Sequence, residues 1–208
     1  WITIVGRNGA GKSTLLLGLM QLVRTRGEYR ILGQPAESIR DLSDLLAFVF
    51  QNPEFQFVTN RVWDEIAYTL QLSGSAPDEI RRKVDDLLQQ FALTDQRDQH
   101  PYQLSMGQKR RLSVASAVVK EQPILLLDEP TFGQDAQNTF AILKKLEIWR
   151  RGGGAIVMVT HDLNIVRHFA TQVWQVRDGR VVQYEDPEHY LGRPAAVGSG
   201  EQDIITAE

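Results

Sequence analysis

Apolar positions along the chain fall into two patterns. Residues 1–5, 45–50, 124–127 and 155–160 are continuous apolar runs, filled mainly with Ile, Leu and Val rather than alternating with polar residues. Such runs suit strands covered on both faces of a parallel sheet. Helical spacing falls between them. Residues 13–24 carry apolar side chains all round, as a buried helix would, and 135–151 and 162–169 supply crossovers, the latter with Asp162 as N-cap. Residues 172–176 and 180–184, joined through Asp178-Gly179, predict a β-hairpin. The middle differs: 64–72, 78–93 and 105–120 all read as helix, with a break at 74–77. The expectation is one α/β domain. Residues 1–55 and 121–191 form a mostly parallel sheet flanked by helices, 56–120 an inserted helical subdomain, and 192–208 a polar, mobile tail.

Composition narrows the class without deciding it. The chain has 208 residues, 42% of them hydrophobic, so its apolar content can build a core. A net charge of −3 gives no reason to expect nucleic-acid binding. With no cysteine, disulfides and thiolate metal sites are excluded. No apolar stretch reaches the roughly eighteen residues of a spanning helix. The chain opens at Trp1 inside a strand-like run, and a piece of a longer polypeptide is expected.

The most specific segment is Gly6-Arg7-Asn8-Gly9-Ala10-Gly11-Lys12-Ser13, which fits G-x-x-x-x-G-K-[ST] between a predicted strand and helix. Glycines let the backbone curl so that successive N–H groups face anionic oxygens, and the helix N-terminus adds partial positive charge. Lys12 would reach the terminal phosphates, and Ser13 would place its hydroxyl on Mg²⁺.

The run at 124–127 ends in Asp128-Glu129-Pro130. Ligands of open α/β sheets sit at the carboxyl ends of strands, so both acids should arrive beside the phosphate loop. Neighbouring residues on a strand point opposite ways, which separates their tasks. Asp128 suits Mg²⁺, and Glu129 suits an attacking water. His161, after the next strand, is expected at the γ-phosphate, and Gln51, after 45–50, at the metal or the water. Ser105 is a good N-cap for the helix that follows, whose first turn would be a second anion site. Trp63, Trp149 and Trp174 are expected to pack in or near cores, and Lys109-Arg110-Arg111 to form a solvated helix face.

Taken in order, Gly6 to Thr14, Gln51, Leu104 to Gln108, Leu127 to Thr131, Asp135 and His161 resemble the motifs of ATP-binding-cassette ATPases. They are similar to the Walker A motif, Q-loop, signature, Walker B with catalytic Glu, D-loop and switch His. The resemblance implies a RecA-like P-loop fold, with ATP and Mg²⁺ as cofactors. It implies a head-to-tail dimer with a second such ATPase domain, in which Ser105, Gly107 and Gln108 act in trans and Asp135 links the two sites. Metal contacts would come from Ser13, Gln51 and Asp128, and catalysis from Glu129, His161 and Lys12. Asn52 to Val58 and Asp64 to Ala67 resemble the energy-coupling-factor branch, which drives uptake of vitamins or of cobalt and nickel ions. An integral membrane transporter subunit as partner, docking over 55–72, and a place on the cytoplasmic face of the membrane follow from that resemblance, with no nucleic acid expected.

The sequence departs from the family pattern in three ways. Met106 stands where the signature has its first Gly, and Gln134 where the D-loop has Leu. No residue occupies the upstream position of the family's adenine-stacking aromatic, so weak discrimination between ATP and GTP is expected. Two alternatives stay open: a soluble cassette protein acting on nucleic acid or ribosomes, and a nucleotide-binding module that does not hydrolyse.

Overall fold

The computed structural model describes residues 1–36, 38–134 and 136–192. In chain order the elements are β1 (Ile2–Val5), α1 (Lys12–Leu19), β2 (Arg30–Ile31), β3 (Gln34–Pro35), α2 (Ile39–Leu42) and β4 (Leu46–Val49). Then come α3 (Val62–Leu72), α4 (Pro77–Gln90), α5 (Met106–Val118), β5 (Ile124–Asp128), α6 (Ala136–Arg151) and β6 (Ala155–Val159). The last are α7 (Leu163–Phe169), β7 (Gln172–Arg177), β8 (Arg180–Glu185) and α8 (Pro187–Leu191).

All four continuous apolar runs form strands of one sheet, in the order β4-β5-β6-β1-β7-β8. Its first five strands are parallel, and β8 returns antiparallel to β7 through Asp178-Gly179, both at positive φ. Strand β5 shows why the runs do not alternate. Leu125 and Leu127 join one apolar cluster, Leu126 joins another on the opposite face, and none is more than 1% exposed. Each such side chain contributes about 1.5–3 kcal/mol of burial.

The helical segment is tied into this core at helical spacing. Val62, Ile66 and Leu70 of α3 and Ile80, Val84 and Leu88 of α4 share a cluster with Leu112 of α5 and Leu125 and Leu127 of β5. The loop entering α3 is held by a buried acid. Glu65 Oε2 accepts hydrogen bonds from Val58 N (3.0 Å), Thr59 N (2.8 Å) and Thr59 Oγ1 (2.8 Å). That anchor leaves Phe55 and Val58 facing outward.

Helix α1 is half-buried rather than buried all round, with only Lys12 and Leu16 fully covered. It also stops five residues short of the predicted end. Gln21 takes φ 57°, and Leu22 N closes on Leu17 O at 2.9 Å. Helices α4 and α5 stop early too, beside Ala92 (φ 51°) and Glu121 (φ 56°). Left-handed residues that end helices are usually Gly or Asn, so these three stops carry no sequence signal. Trp63 and Trp149 pack against the larger cluster and Trp174 against the smaller, as predicted. No helix among the described residues is long and apolar enough to cross a membrane. Of the tail predicted at 192–208, all but Gly192 lies outside the described residues, as does Asp135.

Candidate functional site

The turn after β1 curls at the centre of the sheet's carboxyl edge, between β6 and β7. Gly6 there has φ 152°, and a Cβ on it would stand 2.3 Å from Val176 O of β7. No larger residue fits, so the strand end presses directly on its neighbour. Lys12 opens α1 and bends back over the turn, where its Nζ donates to Gly6 O (2.9 Å) and Arg7 O (3.1 Å).

A cavity of about 430 Å³ lies over this turn. Asn8, Gly9, Gly11, Lys12, Ser13 and Thr14 line it from one side, and Gln51, Glu129, Phe132 and His161 from the other. Residues from three strand ends thus meet the glycine-rich turn, as the sheet-edge rule predicts. Gly6, Arg7 and Ala10 do not line the cavity. Gly6 and Arg7 give their carbonyls to Lys12, while Ala10 is buried in the core and its carbonyl accepts from Gly179 N at 2.8 Å.

The two acids are separated as expected. Glu129 sits at φ 47°, a left-handed conformation costing a non-glycine residue about 1–2 kcal/mol. Its N donates to Val159 O (3.1 Å), its O accepts from Phe132 N (3.1 Å), and its Oε1 lies 2.9 Å from His161 Nε2. Three fixed contacts therefore outweigh the strain, and they aim the carboxylate into the cavity. Burial pushes the Lys12 ammonium below its usual pKa, while Glu129 and then Asp128 pull it back up.

Asp128 turns instead toward an adjoining cavity of about 610 Å³, lined also by Ser13, Gln51, Phe50, Met106, Arg110 and Phe132. Its Oδ1 is buried without a hydrogen-bond partner. Burial pushes its carboxyl above the usual range; the Ser13 hydroxyl lowers it by hydrogen bonding, Glu129 raises it, and Lys12 and Arg110 lower it. An orphaned buried carboxylate oxygen beside a serine hydroxyl is a donor set that fits Mg²⁺, with phosphate oxygens completing the shell. At neutral pH the ionised Asp128 costs folding stability, and that cost fades as pH falls through its raised folded-state value. Asp128→Asn should raise the Tm of the nucleotide-free protein by about 2–4 °C, for ~1 kcal/mol, and abolish any stabilisation by Mg²⁺ plus nucleotide. Thermal scans with and without MgATP check both signs.

No residue of the predicted signature stretch lines the phosphate cavity of its own chain, and Met106 alone reaches the adjoining one. Ser105 caps α5, its Oγ accepting from Gln108 N (3.3 Å) while Gln108 Oε1 accepts from Ser105 N (2.8 Å). Gly107 follows in the first turn, and Met106 is 53% exposed. Lys109-Arg110-Arg111 is not a solvated face. Lys109 and Arg110 are buried, Lys109 pairs with Glu54, and Arg111 Nε donates to Phe91 O at 2.9 Å. Three basic residues in a row resemble a surface, yet these long stems lie across the loop after β4 and the end of α4. Phe132, also missed, gave no signal beyond its closeness to Glu129.

A glycine-rich turn between strand and helix, with two acids at the end of a nearby parallel strand, defines a P-loop nucleotide-binding protein. The family model described as ABC transporter matches residues 1–132, and the chain belongs to that family. It is 38% identical over 205 residues to a Bacillus subtilis protein described as a putative HMP/thiamine import ATP-binding protein, covering 97% of this chain and 36% of that protein. It also resembles cbiO1 from Clostridium perfringens, described as part of the ABC transporter complex cbiONQ. The TM-score is 0.79 at 31% identity, over 91% of this chain and 78% of that one. A dimeric, post-hydrolysis structure of the cassette MJ0796 with ADP and Pi superposes with TM-score 0.81 at 28% identity, over 90% of this chain and 85% of that one. The chain spans about a third of the length of the first curated relatives it matches.

Proposed function

We propose that this chain is an ATP-binding and ATP-hydrolysing unit that energises uptake through a membrane transporter. The observation that carries this reading is the Glu129–His161 pair, 2.9 Å apart, facing Lys12 and the glycine-rich turn across one cavity. A non-hydrolysing binder has no use for a strained, largely covered carboxylate aimed at the phosphate position.

In this reading the N–H groups of the turn and Lys12 bind the β- and γ-phosphates, and Thr14 lines the same wall. Bound Mg²⁺, held by Ser13 and Asp128 with Gln51 as a further oxygen donor, supplies charge neutralisation on the phosphates. Glu129 orients the attacking water and accepts its proton, while His161 fixes that carboxylate and reaches the γ-phosphate. Ser105, Gly107 and Gln108 of a second domain close over the phosphates in trans, with Asp135 linking the two sites. That the structural relative is a dimer with ADP and Pi bound supports pairing of two such domains. Residues 56–120 serve as an arm on the core formed by 1–55 and 121–191.

Phe55, Val58, Tyr68 and Leu72 are exposed around the loop that Glu65 anchors, and they offer an apolar surface to an integral membrane partner. The import protein and the cbiONQ component among the relatives favour uptake, with the chain peripheral at the cytoplasmic face, over action on nucleic acid.

Titration calorimetry of MgATP together with phosphate-release assays tests the reading. Heat of binding and steady release of phosphate are expected, and a membrane protein should co-purify. A flat titration with folded protein ends it.

A further inference from the structure

The segment after β4 is laced to helix α5 rather than lying freely against it. Gln56 Nε2 donates to Ser113 O and Ser116 Oγ, both at 2.8 Å. Lys109 Nζ pairs with the Glu54 carboxylate, and Tyr102 OH donates to Glu54 O at 3.2 Å. Nearest the phosphates, Arg110 Nη1 donates to Phe50 O at 3.1 Å. Phe50 immediately precedes Gln51, which lines the phosphate cavity.

Arg110 is an expensive residue to keep there. It is 3% exposed, its Nε has no hydrogen-bond partner, and burial pushes its pKa down against the pull of Glu129 and then Asp128. A buried guanidinium with so few direct hydrogen bonds carries a desolvation cost that its bond to Phe50 O does not by itself explain. What only a cation adds is attraction for the two acids at the end of β5. Arg110 shares a cavity with Asp128, Ser13 and Gln51, so its charge acts across that space.

We propose that Arg110 is a positioning residue for phosphate-bond hydrolysis, clamping the Phe50 carbonyl so that Gln51 faces the phosphates while its charge holds Asp128 and Glu129 in place. The proposal rests on the ATPase reading above. Through Arg110, helix α5 is bonded to the residue before Gln51 and shares a cavity with Asp128, so a movement of the helical segment changes the geometry around the γ-phosphate. Nucleotide affinity rests chiefly on the turn at 6–14 and should change far less than turnover.

Two variants of the whole protein, Arg110→Gln and Arg110→Lys, carry the test through two independent readouts. The first is amide exchange without nucleotide. In Arg110→Gln, residues 50–56 should exchange about tenfold faster or more while 155–159 stay unchanged, because local opening is decoupled from the core. The second is steady-state MgATP turnover. Arg110→Gln should lower kcat by about 10–100-fold, the scale of an ångström-level misplacement, with KM within about twofold of wild type. Arg110→Lys, which keeps the charge and a donor, should recover most of the loss. Unchanged kcat in Arg110→Gln overturns the proposal. So does a joint loss of kcat, affinity and Tm that Lys does not rescue, since that pattern marks packing alone. Wild-type protein without turnover would instead defeat the ATPase reading, and the exchange arm would still decide the clamp.

Discussion

Glu129→Gln should lower MgATP turnover by about 10²–10⁴-fold, the range expected when a general base is removed, and leave nucleotide affinity equal or higher. The substitution is nearly isosteric, and Gln meets the left-handed φ of 47° on the same terms as Glu, so the turn should survive. The amide oxygen can still accept a hydrogen bond at the 2.9 Å contact with His161, but it cannot take a proton from water. Removing one negative charge opposite the phosphates also favours bound ATP. If two domains close over two nucleotides, the unhydrolysed complex accumulates as a dimer visible by light scattering in MgATP. His161→Ala should give a smaller loss, because the carboxylate that takes the proton remains while its orienting partner and the contact assigned at the γ-phosphate are removed. A Glu129→Gln protein that releases phosphate at the wild-type rate removes Glu129 from its assigned task.

The strands were legible because a sheet covered on both faces leaves an unbroken run of Leu, Ile and Val, as Leu125, Leu126 and Leu127 illustrate. The hairpin between β7 and β8 was legible for a different reason, since Asp178-Gly179 is among the strongest turn signals available. Helix ends were less so. Gln21, Ala92 and Glu121 adopt the left-handed conformation without a residue that prefers it, and what fixes them is closure onto earlier carbonyls, such as Leu93 N on Leu88 O at 2.8 Å. The short hairpin of β2 and β3 was missed as well, being only two residues per strand, with Leu32 at φ 50° before Gly33 at its turn.

At the site, motif residues were legible and their supports were not. Lys12 and Ser13 followed from the glycine-rich motif, and Glu129, His161 and, with the family pattern, Gln51 from strand ends, because the sheet edge brings loop after loop to one place. Arg110 did not. In sequence it is one basic residue among three, and only the fold shows its guanidinium turned inward against Phe50 O. A charge run reads as solvated because exposed Lys and Arg are the common case; burial depends on what another segment lays over the stem. Phe132, 65% exposed yet lining both cavities, is equally a matter of tertiary placement. Motifs therefore report the residues that line the cavity, whereas the residues holding them in place are chosen by packing.

The glycines of the turn should not be equivalent, and their ranking follows from what each faces. Gly6→Ala should lower Tm by about 6–12 °C, for ~3 kcal/mol of overpacking and backbone strain in a chain of this size. Its new Cβ would fall 2.3 Å from Val176 O, a backbone atom of the paired strand β7 that has no rotamer to retreat into. Relief requires β1 to part from β7 or the Gly6 peptide to rotate. Either movement displaces the carbonyl that Lys12 Nζ holds at 2.9 Å, and with it the ammonium expected at the phosphates. MgATP affinity should therefore fall by about 100-fold or more, the loss of a charge-assisted contact together with a misaligned cradle. Gly9→Ala is the control. It also sits at positive φ, 75°, but a Cβ there meets nothing within 4 Å, so only the conformational cost of about 1 kcal/mol applies. Its Tm should drop by about 2–4 °C. Equal effects of the two substitutions, measured by thermal unfolding and calorimetry, would mean that conformation alone, and not the close approach to β7, governs this turn.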